Sequence, residues 1–189
     1  MFITVNREAL ENSRSSEALR AQVRQNIFNH HKFVKRQRAS YYARREKAIA
    51  NPDKYLSLIF DGADQAAYSL PYFHVHSHSA DGYKVGSHLM GAIAHGIGTY
   101  AFSFLENIKH GTNVTIEALW RVLSHIKATG RKIPQIIFIQ LDNTAKQNKS
   151  QFLLAFCALL ILFGVATKIF ASFLPVGYYN PNNPNKSNS

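Results

Sequence analysis

A chain of 189 residues, 46% hydrophobic and 17% charged, is long enough to bury one core and carry an extension beside it. Its net charge of +11 points toward polyanions, either nucleic acid or an anionic membrane surface. The single cysteine, Cys157, excludes a disulfide framework within the chain and suits a reducing, intracellular compartment.

The charge is uneven. Residues 1–50 carry 11 Lys/Arg against 4 acids, and residues 51–189 carry 11 against 7. The N-terminus, MFITVNREAL, has no basic stretch leading into an apolar one, so no secretory signal is expected. Residues 6–50 read as helix: no Pro or Gly interrupts them, and Leu19, Val23 and Ile27 recur at helical spacing. In the second half of this basic lead-in, residues 1–51, Lys32, Lys35, Arg36, Arg38, Arg44 and Arg45 alternate with Phe33, Tyr41 and Tyr42. Such a helix can lie along a phosphate backbone. The alternative is a solvated helix that packs its few apolar residues on the domain. Asn51-Pro52 ends the unit, because Pro cannot continue a helix.

Tyr55–Phe60, YLSLIF, reads as a strand that stops at Asp61, with Gly62 permitting a tight departure. Leu70–Ser79 alternates and would place His74, His76 and His78 on one face. Three His along one strand clamp Zn²⁺ poorly, so a solvent-facing stripe is expected. Tyr83–Ile93 and Gly98–Leu105 read as two more strands, with His95 in the turn between them. Asn113 is a candidate N-cap, and Ile116, Leu119, Trp120, Leu123 and Ile126 then form one apolar helical face.

Ile136–Leu141 is an apolar run rich in β-branched residues, short enough for a buried strand, and it stops at Asp142-Asn143. Polar residues follow through Ser150, and then an uncharged stretch, Phe152–Thr167. That stretch is short of the ~20 residues a membrane span needs. It reads as a buried helix containing a structural thiol, with membrane insertion as the alternative. Lys168–Leu174 is a last strand, and the Asn/Pro-rich tail, 178–189, reads as disordered.

Antiparallel strands followed by α-β-α-β give a ribonuclease-H-like fold: an α/β five-stranded mixed sheet with flanking helices, preceded here by basic helices. In that arrangement Asp61 and Asp142 are neighbours. A carboxylate at the end of a buried strand has a defined position and serves as a metal ligand or base. The alternative is a loop start or helix cap, which Asp and Asn also favour. Two close carboxylates need a cation or a proton between them, and Mg²⁺ or Mn²⁺ suits hard oxygen ligands. Two-metal phosphodiester chemistry needs this pair and usually a third acid. Nothing in the sequence supports a nucleotide cofactor, since there is no P-loop and HGIG lacks a Rossmann context.

The phrases LSLIFDGADQ, HGTNVTIEALWRVL, IQLDNTAKQNKSQF and SFLPVG resemble DUF7869, a mobile-element-associated domain of unknown function. The resemblance runs over about Pro52–Gly177. It implies transposase- or integrase-like chemistry on DNA in the nucleus. Asp61 and Asp142 match the first two acids, and Asn143, Asn148 and Lys149 match the polar loop beyond the second. The family's Gly-His-Thr-His-Glu-Asp phrase is missing: Gly177 is followed by Tyr178-Tyr179-Asn180-Pro181-Asn182, and no Asp or Glu occurs after Asp142. Domain 52–177 is therefore divergent or C-terminally truncated. Three readings follow, in order: a decayed copy, a domain kept for binding nucleic acid only, or a reduced metal site that Asp64 completes. The expected function is a transposase-like lineage with impaired catalysis. The alternative is a non-catalytic nucleic-acid-binding module using the basic helices.

Overall fold

The computed structural model describes residues 17–63, 85–109, 111–142 and 150–173. The expectations placed on Asp64, on the His74, His76 and His78 stripe, on Asn143, Asn148 and Lys149, and on the tail lie outside the described residues. The described residues fall into two compact units, divided between Tyr42 and Ala43.

Glu17–Ala50 forms helix α1, which stops at Asn51-Pro52 as the sequence predicts. Strands β1 (Tyr55–Gly62), β2 (Ser87–Ala94) and β3 (Gly98–Leu105) follow. Then come α2 (Thr112–Ala128), β4 (Ile136–Leu141), α3 (Gln151–Leu162) and β5 (Lys168–Phe173). The sheet order is β3-β2-β1-β4-β5. β1 pairs antiparallel with β2 and parallel with β4, β2 pairs antiparallel with β3, and β4 pairs parallel with β5. This is the ribonuclease-H-like mixed sheet with flanking helices.

The core lies between one sheet face and the two later helices. Leu56, Leu58 and Phe60 of β1, Met90, Ala92 and Ala94 of β2, and Ile137, Ile139 and Leu141 of β4 are all buried there. Each set steps by two, as side chains on one face of a pleated strand must. Helix α2 contributes Ala118, Leu119, Val122, Leu123 and Ile126, and α3 contributes Leu153, Cys157 and Leu160. Full burial of a Leu or Ile side chain is worth roughly 1.5–3 kcal/mol, so this layer supplies most of the driving force.

Several expectations need correcting. β1 does not stop at Phe60, because its antiparallel pairing continues through Asp61↔Gly91 and Gly62↔Met90. A further bond, Ala63 N–H to the Leu89 carbonyl at 2.9 Å, extends the ladder. β2 spans Ser87–Ala94, and Tyr83, where the sequence reading starts this strand, lies outside the described residues. The N-cap of α2 is Gly111, in extended conformation, and Asn113 lies inside the helix. Trp120 is 52% exposed rather than buried. The buried face of α2 is Thr115, Ala118, Leu119, Val122, Leu123 and Ile126, one position round from the face through Trp120.

Helix α3 is capped by Ser150, whose hydroxyl accepts from Phe152 N–H at 3.2 Å. Gly164, at φ 71°, ends it in the left-handed conformation that Gly tolerates. The helix is not buried all round. Leu153, Cys157 and Leu160 point inward, while Phe152, Leu154, Leu162 and Phe163 are exposed. Burial raises the Cys157 thiol above its ordinary value, which leaves an inert structural cysteine. Among the described residues no helix is long and apolar enough to cross a membrane.

Candidate functional site

β1 and β4 run parallel and side by side, with Tyr55 level with Ile136 and Ile59 level with Gln140. The pairing ends with Ile59 level with Gln140; Asp61 and Asp142 each lie two residues beyond that pair, Asp142 just past the end of β4. Neighbouring strands lie ~4.8 Å apart. Asp61 is exposed and Asp142 partly buried. Strand alternation puts both on the sheet face opposite the main core, because Phe60 and Leu141, just before them, point into it. On the other side of Asp61, β2 presents Gly91, which has no side chain to crowd the carboxylate. Among the described residues no group of three or more His, Cys, Asp or Glu is placed to hold a metal ion.

The sheet face opposite the core carries aromatic and polar residues beside Ile59, Ile93 and Ile136. Phe138 of β4 stacks on Tyr55 of β1 (centroids 5.9 Å apart) and leans on Phe170 of β5 (5.5 Å). Gln140 donates to the Ser172 carbonyl at 3.2 Å. The last turns of α1 lie on this face. Arg44 places its guanidinium 5.5 Å from the centre of the Phe138 ring and donates through Nη1 to Ser172 Oγ. One turn on, Ala48 is fully buried. Ser172 is level with Gln140, two residues short of Asp142, so Arg44 is anchored ~7 Å along the strand direction from the acidic pair.

The basic residues singled out in the sequence thus divide. Arg44 and Arg45 are partly buried and share a unit with the acids. Lys32, Lys35, Arg36 and Arg38 belong to the other unit, where the first three are exposed on α1.

His95 sits in the β2–β3 turn, as expected, and the register puts it level with Ser57 rather than with Asp61. Its Nδ1 lies 3.0 Å from the Ser57 carbonyl oxygen and 3.2 Å from Ser57 Oγ. A carbonyl only accepts, so Nδ1 carries the proton. Burial lowers the His95 pKa below its ordinary 6.5; the bond to Ser57 opposes that shift and Arg45 adds to it. A depressed folded value means the unfolded chain binds the proton more readily. The stabilisation is thus present above pH ~6.5 and lost as the pH falls through the lower folded value. The melting temperature of the wild type is expected to fall between pH ~7.5 and ~5, and His95→Asn to flatten that fall. Equal pH slopes in the two proteins would contradict it.

One feature escaped the sequence reading. Trp120, Arg121, Glu117 and His125 of α2 face Tyr100 and Phe102 of β3 across an open groove of about 460 Å³. The signal available was the chain's single Trp on a helix with enough other apolar residues to fill its buried face.

The comparisons with known proteins are sparse. No curated protein matches the chain. Among solved structures, a chain in the crystal structure of the Mos1 strand transfer complex matches at a TM-score of 0.33 and 12% sequence identity. The match covers 92% of this chain and 57% of that one, so this chain spans less than two thirds of that relative. The family model described as a domain of unknown function, DUF7869, matches residues 77–180, more than half of the chain, and the chain belongs to that family.

Proposed function

We propose that this chain is a mobile-element-derived domain of the metal-dependent DNA phosphodiester-transfer lineage, with catalysis impaired and nucleic-acid binding retained. The observation that carries the reading is the parallel pairing of β1 with β4, whose last level pair, Ile59 and Gln140, stands two residues before Asp61 and Asp142. Two hard carboxylates at strand spacing fit a Mg²⁺ or Mn²⁺ ion, which takes one or two carboxylates and fills its remaining sites with water and phosphate oxygens. When bound, such an ion polarises a phosphoryl oxygen and eases deprotonation of an attacking water or hydroxyl. Asp61 and Asp142 hold and orient it from fixed strand ends. No Asp or Glu follows Asp142, so the third carboxylate of a complete site is not supplied from that part of the chain. That shortfall is the reason for proposing impaired catalysis. A nuclear setting accompanies the reading.

The second reading is a binding module that has no use for the acids. The exposed Lys32, Lys35 and Arg36 favour it. Labelled DNA separates the two. Both readings expect binding that weakens steeply with salt and survives Asp142→Asn. Only the first expects slow nicking or strand joining in Mn²⁺ that Asp61→Asn and Asp142→Asn each abolish. Absence of any DNA binding at low salt would defeat both.

A further inference from the structure

The groove between β3 and α2 is lined by three large aromatic side chains. Tyr100 and Phe102 come from the strand, and Trp120 from the helix. His125 meets the Tyr100 ring edge-on, with centroids 5.5 Å apart at 79°. Exposed Trp faces are uncommon, because burying so large a ring is favourable. This one is held out by a helix whose inward face is already filled by Leu119, Val122, Leu123 and Ile126.

The charge around the rings selects the ligand. Among the described residues Glu117 is the only acid lining the groove, and Arg121 Nε pairs with it at 2.6 Å. Arg131 acts electrostatically on Tyr100. A quaternary or methylated ammonium would meet Arg131 and an acid already paired with Arg121. A planar, electron-rich ring attached to a phosphate would meet a stacking platform and positive charge. A groove of about 460 Å³ has room for a base with its sugar.

We propose that this groove receives an unpaired nucleobase, stacked against Trp120 and Tyr100, with Arg121 beside its phosphate. The register places the groove relative to the acids. Gly91 lies between Asp61 and Ala101, and Tyr100 and Phe102 flank Ala101, so the groove is two strands from Asp61 and on the opposite face of the sheet. The inference rests on the nucleic-acid reading of the domain.

Trp120 is the only Trp in the chain, so its emission reports on this groove alone. The full chain is titrated with a fluorescein-labelled oligothymidylate, reading label anisotropy and Trp emission together. The same titration is run with an abasic strand of equal length. The expected result is quenching that tracks anisotropy for the oligothymidylate and is absent for the abasic strand. Tyr100→Ala and Arg121→Ala should each weaken oligothymidylate binding about tenfold. A rise in anisotropy with unchanged Trp emission would overturn the groove and leave the nucleic-acid reading standing. Equal quenching by the abasic strand would overturn base stacking. Quenching by tetramethylammonium but not by the oligonucleotide would show a cation cage instead. No anisotropy change with either strand would remove the nucleic-acid reading and this inference with it.

Discussion

Ile137→Ala is expected to lower the free energy of unfolding by about 2–5 kcal/mol, read from urea melts. Ile137 is fully buried on β4, with β1 paired to one side and β5 to the other. Its side chain belongs to the layer that also holds Leu56, Leu58, Leu123 and Leu153. Removing three carbons there leaves a cavity that a paired strand cannot collapse into, so the transfer and cavity terms add. Domains of this size are stable by only ~5–15 kcal/mol, and the variant therefore loses a large fraction of its stability. A loss below ~1 kcal/mol would mean that Ile137 is not packed in the core layer.

Arg44→Ala is expected to cost about 2 kcal/mol, more than a surface cation would. The guanidinium makes a charge-assisted bond to Ser172 and sits over Phe138, and neither contact has a replacement in Ala. Lys32→Ala is the control. Lys32 is exposed, so its loss should leave stability within ~0.5 kcal/mol. On DNA the order reverses. Lys32→Ala should reduce the slope of log affinity against log salt by about 0.9, and Arg44→Ala should leave that slope unchanged. Equal melting temperatures for Arg44→Ala and wild type would contradict the anchoring.

The strands were legible because a parallel central strand is covered on both faces. Ile136–Leu141 reads as an unbroken apolar run for that reason, and its bounds match the structure. The acids that follow such runs were legible as well, since polar residues return where pairing stops. β1 was read too short because pairing with β2 carries its polar end, Asp61-Gly62, into the ladder. No local property of those two residues shows that partner.

Helix α2 misled in a different way. Ile116, Trp120 and Leu123 stand at i, i+4 and i+7, as do Thr115, Leu119 and Val122, and hydrophobicity favours the first set. The sheet selects the second, because small Thr115 and Ala118 admit closer approach and both are fully buried. Helix α3 offered no periodic signal at all: it is apolar on every side, so its inward stripe could not be told from its exposed one. Arg44 was indistinguishable from its basic neighbours. The clue was Ala48 one turn later, a small residue where α1 lies close to the sheet.

The most direct test is thermal unfolding of the full chain with and without Mn²⁺, run beside Asp61→Asn and Asp142→Asn. If the two strand ends form one cation site, Mn²⁺ raises the wild-type melting temperature in a concentration-dependent way, and each variant loses most of that rise. A wild-type melting temperature indifferent to Mn²⁺, or a rise that both variants retain, would contradict a metal site at Asp61 and Asp142 and leave the binding module in its place.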